Sequence, residues 1–468
     1  MLRIAIVGGG LSGLALAHAI GRAAPGLRDR LVVLERDRIP GGHLRTERID
    51  GFLCEAGPGG LLDSSAATLE LIDQLGLTAR ITPASDVARR RYLLIHGALH
   101  LVPTSPPALL RSPLLSAAGK LRLLAEPLVP RGGSDDETIH AFVARRFGRQ
   151  AADLLAGPFA TGVFAGDARQ LSMRACFPAI SELEARHGSL IRALMARRHA
   201  GSAGSARRSP GRQFSFREGL GELAMALTAT LGSTLRTGAR VETIERREDG
   251  WGVRLASGES LHAAAVVLAC GARRTAALLY EIDAALAHDI AGIAEPPVAV
   301  VCLGYETSAV GRPLDGYGFL VASGERVGIL GALWDSTIYP GRAPDGHVLL
   351  RVMIGGQSDP EAAALPDAAL VQRAHEALAT VMPVTRPAVL ARVYRHMPGI
   401  PQYAPGHLAR VARIADRLTR HPGLFLAGNA YRGVSMPSCI EDAAALAPQV
   451  AADAAARCAA AQYVSPNP

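Results

Sequence analysis

Aromatic residues are scarce, at 4% of the 468 positions. Aliphatic side chains must therefore build the cores. The basic residues also lack the interleaved rings of a nucleic-acid surface. They stand in short groups, such as 89–91, 145–146 and 207–208, rather than in one stripe, so no nucleic-acid partner is expected. Cysteine is sparse too. The six, at 54, 176, 270, 302, 439 and 458, form no C-x-x-C and no paired Cys/His spacing. This argues against a zinc site or a dithiol redox motif and reads as buried thiols of a reducing cytosol. No apolar run reaches the 18 or so residues of a membrane-spanning helix. The first apolar run has one charge ahead of it, Arg3, and no small-residue cleavage pattern after it, so a secretory leader is not expected. What is present is an ordinary globular balance, 49% hydrophobic and 20% charged, with a formal net charge of +8. That excess suits an anionic substrate or an anionic lipid surface.

The most informative stretch is IAIVGGGLSGLALAHAI, residues 4–20. Residues 2–7 read as a strand buried on both faces, and residues 14–19 as helix. Between them stand Gly8-x-Gly10-x-x-Gly13, where a strand turns into a helix. Gly8 permits the turn, Gly10 lets N–H groups approach a pyrophosphate, and Gly13 lets the helix pack on the sheet. A second strand, residues 30–34, ends at Glu35, where a carboxylate binds ribose hydroxyls. The pattern is that of a dinucleotide site.

Further along, GGHLRTERIDGFLCEAGPGG (41–60) places two glycine clusters around a hairpin. A helix is expected from Ser65 to Leu75, closed by Gly76. Residues 104–131 alternate prolines, leucine-rich turns and single positive charges, as in a helical cap or a surface that dips into lipid headgroups. Residues 134–150 read as a helix opened by an Asp/Ser cap, and 199–213 as a basic Gly/Ser linker. Strands then resume around turns at Asp249-Gly250 and Ser257-Gly258. Residues 298–356 read as a second, mostly antiparallel sheet with a helix at 361–382. A last buried strand, 423–429, leads into a C-terminal helix. A closing strand-loop-helix unit suits a flavin, whose ring extends far from the pyrophosphate; the helix start at 434–438 would stabilise its reduced form.

Read in order, GGGLSG, LERDRIPGGHLRT, GFLCEAGPGG, TGVFAGDARQLSM, GIPQYAPGH and GLFLAGNAYRGV resemble the FAD-dependent protoporphyrinogen oxidases over nearly the whole chain. The first two blocks are shared with amine oxidases and carotenoid desaturases, and the last three are more specific. The resemblance implies an α/β fold of the amine oxidase kind in three lobes. These are a Rossmann-type FAD lobe (1–86, 212–290, 413–468), a mixed-sheet substrate lobe (87–103, 291–412) and an inserted helical, membrane-associated lobe (104–211). It implies FAD contacts at Gly8, Gly9, Gly10, Leu11, Ser12, Gly13, Glu35, Arg36, Gly42, His43, Gly57, Pro58, Gly59, Gly60, Val241, Asn429, Val434, Ser435 and Met436. Tyr317, Leu320 and Met353 would form the substrate wall, with Gly162 nearby. His100 stands where bacterial relatives carry an arginine for a propionate; His100 or Arg111 would take that role. Gly59 replaces a larger polar residue, Met397 a tryptophan, and GVSMPSC the more usual GVGLNDC or GVGIPDC.

The expected reaction is oxidation of protoporphyrinogen IX to protoporphyrin IX with molecular oxygen, within haem biosynthesis. No protein residue is expected to act as catalytic acid or base. Alternatives are a coproporphyrinogen III oxidase, whose substrate carries four carboxylates, and a flavin-binding scaffold without catalysis. Expected partners are an anionic membrane surface, a haem-pathway neighbour enzyme and a second copy in a homodimer. The expected location is cytoplasmic, peripheral on the inner face of the cell membrane.

Overall fold

The computed structural model describes residues 2–200 and 211–463. Most of the basic linker expected at 199–213 lies outside the described residues. The first strand, β1 (Arg3–Val7), leads into α1 (Leu11–Ala23) and then β2 (Leu31–Leu34). β1 and β2 pair in parallel, and β1 also pairs in parallel with Ser260–Leu268. The strand Leu235–Arg236 flanks β2, and Leu424–Leu426 runs parallel to the end of Ser260–Leu268. A hairpin, Val241–Arg247 and Gly250–Leu255, continues the sheet from the start of that long strand.

The strands are apolar at nearly every position because the sheet is covered on both faces. Ile4, Ile6, Leu31 and Val33 pack into a core with α1 and the helix Met436–Tyr463. Ala5, Val7, Val32 and Leu34 point the other way, onto helices Ala272–Leu279 and Ala284–Ala291. Each fully buried Ile or Leu contributes about 1.5–3 kcal/mol. The alternating signal of a half-buried strand is absent for this reason.

The second sheet runs Leu390–His396, Val298–Glu306, His347–Gly355, Gly331–Leu333, Gly318–Val321, Tyr92–Ile95, Ala98–Leu101. All its pairings are antiparallel except Gly318–Val321 with Tyr92–Ile95. One face, carrying Phe319, Ala332, Val352 and Val301, packs on the helix Asp367–Val381. The other face looks toward the parallel sheet's loops. The glycine-bracketed hairpin is Thr46–Ile49 with Phe52–Glu55. The helix after it is Ala66–Gln74, with Ser65 accepting the Thr68 N–H as cap and Gly76 at φ +70 behind it.

Residues 106–200 are helical, in pieces from Pro106–Arg111 to Leu190–Ala200. The helix expected at 134–150 is shorter than its pattern. It spans Ile139–Phe147, and its cap is Thr138, whose hydroxyl accepts the Ala141 N–H, rather than an Asp or Ser. Asp136 is used elsewhere: one carboxylate oxygen accepts the Ser172 hydroxyl and the other the Gly406 N–H. The helix His407–Leu418 crosses the expected lobe boundary at 412/413. Its Ile414 lies in the parallel sheet's core, and Arg413 and Arg417 pair with Asp289 and Asp283.

Candidate active site

Four parallel strands end level with one another: Val7 is opposite Leu34 and Leu268, and Leu268 is opposite Leu426. Ligands of such sheets bind beyond the carboxyl ends of the strands. Gly8 leaves β1 at φ +115, and a methyl there would lie 2.7 Å from the Ala269 carbonyl oxygen. A methyl on Gly13 would lie 1.9 Å from the Gly8 oxygen, so α1 can approach the strand only with glycine there. Gly42 lies against Gly10, where its Cβ would be 3.1 Å from the Gly10 Cα. α1 begins after Gly10 with no side-chain cap and no acidic residue in its first turn. Its free N–H groups are therefore open to an anion.

Glu35 follows β2 and is buried, with Oε2 accepting the Gly9 N–H at 2.7 Å and Oε1 the Asp37 N–H at 2.8 Å. Each oxygen keeps a further lone pair for a ribose hydroxyl. Val241 is buried close by, through Ala239, whose N–H donates to the Glu35 carbonyl at 2.7 Å. Arg36 is exposed beside it.

A second helix start meets the first. Ser435 caps Met436–Tyr463 by accepting the Ser438 N–H at 3.2 Å, and Cys439 and Ile440 on that helix share a core with Leu11 and Leu14 of α1. The loop before it is clamped by Tyr403, whose hydroxyl donates to the Asn429 carbonyl at 2.6 Å and accepts the Gly433 N–H at 2.9 Å. A cleft of about 1000 Å³ reaches Val434 and Ser435 from the helical region, past Phe164 and His407.

His43 keeps much of its surface open beside His396. Burial, then the neighbouring His396 and Arg36, lower its pKa to about 4. The two imidazole rings meet edge to face, with centres 4.6 Å apart. Gly57 packs on the His43 carbonyl, and Gly60 on the Tyr339 hydroxyl, which is buried without a partner. Pro58 is exposed between them. The glycine cradle, the ribose carboxylate and the two helix starts together fit a flavin dinucleotide.

The mixed sheet supplies the opposing wall. Its register sets His100, Leu93, Leu320, Gly331, Met353, Val300 and Tyr394 in one row across seven strands. Paired residues share a face, so these side chains point the same way. The row is covered at one end by Leu114, which packs with Leu93, and at the other by Phe52, which packs with Tyr394. In the middle Leu320 and Met353 stay half-buried on either side of Gly331, roughly 10 Å apart at the usual strand spacing. Gly162, on the helix Gly157–Phe164, faces Leu320: a methyl there would be 2.9 Å from Leu320 Cδ1. Tyr317 precedes the strand of Leu320, Gly318–Val321, and accepts a hydrogen bond from Gln213 at 2.8 Å, next to Gly60.

The two expected anion anchors are placed differently. His100 is half-buried in the row, roughly 10 Å from Leu320. Arg111 is exposed at the last position of its short helix. The sequence reading passed over Arg91. It lies two residues before Leu93, hence on the same face. Its guanidinium is exposed and sits 5.0 Å from the Tyr317 ring centre. Period-two alternation from Leu93 is the signal in the sequence that points to it.

The model of the family "Flavin containing amine oxidoreductase" matches residues 11–451. The chain belongs to the flavin-containing amine oxidoreductases. Within that family it is 34% identical over 463 residues to protoporphyrinogen oxidase of Homo sapiens, covering 94% of this chain and 96% of that one. It is 27% identical to coproporphyrinogen III oxidase of Bacillus subtilis (strain 168), covering 94% and 95%. A crystal structure from Exiguobacterium sp. 255-15, provisionally assigned as a protoporphyrinogen oxidase, superposes with a TM-score of 0.84 at 26% identity, covering 97% and 99%. This amine oxidoreductase is thus an oxidoreductase of the porphyrinogen oxidase group, with the mixed α/β architecture that the motifs implied.

Proposed function

We propose that this protein oxidises protoporphyrinogen IX to protoporphyrin IX. Six electrons leave the macrocycle in three two-electron steps, and three molecules of oxygen become three of peroxide. The observation that carries this reading is the row Leu320–Gly331–Met353, half-buried at Leu320 and Met353, on the sheet face from which Arg351 reaches the Gly57–Gly60 loop. FAD, when bound, supplies hydride acceptance and passes the electrons to oxygen. The chain's own task is placement. Leu320 and Met353 offer an apolar floor with a glycine-wide gap, and Tyr317 offers a ring edge. Helix Gly157–Phe164 closes over them and excludes water. No side chain need abstract a proton strongly, because the pyrrole nitrogens push electrons toward the leaving hydride.

The substrate's propionates need positive partners in this apolar setting. Arg91 is the strongest candidate, since a guanidinium fork matches a carboxylate in two bonds. His100 comes next and Arg111 last. Arg91 and His100 are enough for two carboxylates, which favours protoporphyrinogen over the four-carboxylate alternative. Rates of porphyrin fluorescence from both porphyrinogens test this. Faster turnover of coproporphyrinogen reverses the order, and a yellow protein that consumes no oxygen with either leaves only the scaffold reading.

The helical region supports a membrane surface reading. Leu121, Leu124 and Leu128 are 68%, 52% and 82% exposed, with half-exposed Lys120 beside Leu121 and Arg111 exposed at the end of the preceding helix. Among the described residues no helix is long and apolar enough to cross a membrane. Exposed leucines between basic residues suit shallow insertion into an anionic leaflet. Flotation with anionic vesicles should capture the protein, less so at high salt and much less after replacing the three leucines by serine.

A further inference from the structure

Arg351 is a buried guanidinium to which the reading above gives no role. It lies two residues before Met353 on the strand His347–Gly355, and so on the face that looks toward the glycine loops. It is 3% exposed. Nε and Nη2 lie 3.0 and 3.1 Å from the carboxylate oxygens of Asp335, itself buried, and Nη1 donates to the Gly57 carbonyl. Burial opposes its charge, but Asp335, Cys302, Glu55 and Tyr317 around it together offset this and hold its pKa above the ordinary range.

The guanidinium also occupies the side-chain space of Gly59. A methyl built there would lie 2.2 Å from Nη2 and 3.1 Å from Cζ. Gly59 does not have a positive φ, unlike Gly41 and Gly42. Its backbone therefore does not call for glycine; the space does.

We propose that Arg351 is a positioning residue that reaches from the mixed sheet to hold the Gly57–Gly60 loop in its flavin-binding shape, filling the place that a side chain at position 59 would otherwise take. Residues 59 and 351 then form an exchangeable pair: one guanidinium is needed, from either side, and two do not fit. The proposal rests on the flavin reading.

The test uses the purified holoenzyme, with flavin release followed by fluorescence, the visible spectrum of bound flavin and thermal melting. Arg351→Met should weaken flavin binding about ten- to hundredfold, the effect of losing a charge-assisted bond, and shift the visible bands. Gly59→Arg should weaken it too, by crowding. The double variant Gly59→Arg/Arg351→Met should bind more tightly than either single variant and regain the native spectrum. Arg342→Met is the control. Arg342 is equally buried and bonds Ser215 and Glu55 but not the loop, so its loss should lower the melting temperature with little change in flavin affinity. Native affinity and spectrum in Arg351→Met would overturn the proposal, as would a double variant no better than the single ones. If Arg351→Met does not fold, Gly59→Ala pushes on the same contact without removing a charge, and unchanged flavin binding there overturns it equally. A wild-type protein that takes up no flavin defeats the cofactor reading itself, whereas normal wild-type binding with indifferent variants defeats only this inference.

Discussion

In the parallel sheet, β1, β2, Ser260–Leu268 and Leu424–Leu426 end level, and what they present is mostly main chain: N–H groups, a helix start, glycines in contact. In the mixed sheet the recognition surface is a row of side chains crossing seven strands, from His100 to Tyr394. The first surface is tied to local chain geometry, so it tolerates almost no substitution. The second is tied to register, so each of its side chains can be exchanged at moderate cost. A shared cofactor can be held by the first kind of site, and a substrate that differs among relatives can be selected by the second.

The hardest blow to this contrast should come at Gly13. Gly13→Val puts a branched side chain onto the Gly8 carbonyl 1.9 Å from its Cβ. We expect loss of flavin and at least about 3 kcal/mol of destabilisation, read from the urea midpoint. A Gly13→Val protein that retains flavin would mean that the parallel sheet's site is not built on that close approach.

The loop before the C-terminal helix carries a pH signature. His407 is 3% exposed, its ring stacks on Tyr403 at 3.9 Å, and Tyr403 clamps the loop at Asn429 and Gly433. Burial, then Arg410, lowers its pKa to about 4, although Asp136 pulls the other way. The unfolded chain therefore takes up this proton first as pH falls. The neutral ring's contribution is fully present above about pH 6.5 and is lost toward pH 4, roughly 3 kcal/mol in all. His407→Gln should flatten this part of the stability curve relative to wild type, as measured by denaturant unfolding at several pH values.

Glu35→Ala should come next. It removes a carboxylate that holds two N–H groups and is proposed to take the ribose, and should weaken flavin binding about ten- to hundredfold. Full flavin content at unchanged affinity would move the ribose site elsewhere.

The smallest effects belong to the mixed sheet, as the contrast demands. Arg91→Ala should raise KM about tenfold with little change in kcat, the mark of uniform binding, and Arg91→Lys should recover part of it. His100→Ala should raise KM less, and Arg111→Ala least. A kcat loss at Arg91 that matches the KM change would show it acting in the transition state as well, and a larger effect at Arg111 would place the anion on the helical side.

The dinucleotide lobe was legible in the sequence because its requirements are local. Gly8, Gly10 and Gly13 stand at fixed offsets after a strand, and Glu35 ends the next one; steric exclusion at each glycine is a property of a few neighbouring residues. The substrate wall was legible only through likeness to a family. Leu320 and Met353 look like any core residues until the pairing Leu320–Gly331–Met353 sets them on one face. Arg91 was missed for the same reason, since its neighbours in sequence, Arg89 and Arg90, share its charge and not its orientation. The cap at Thr138 went unread because Asp136 offers the same chemistry two residues earlier and is spent on Ser172 and Gly406 instead.

By itself, then, the sequence determined the order of elements, the backbone cradle and the carboxylate proposed for a ribose, all through short-range geometry and chain stiffness. Which face His100 shares with Met353, why Gly59 is empty and what fills it, and which arginine stands over Tyr317 were decided by strand register and by packing between segments nearly 300 residues apart, such as Gly57 and Arg351 (|i−j| = 294). The physical reason is that a glycine's freedom is intrinsic to its own backbone, whereas a side chain's partner is set only when the sheets have paired and closed on one another.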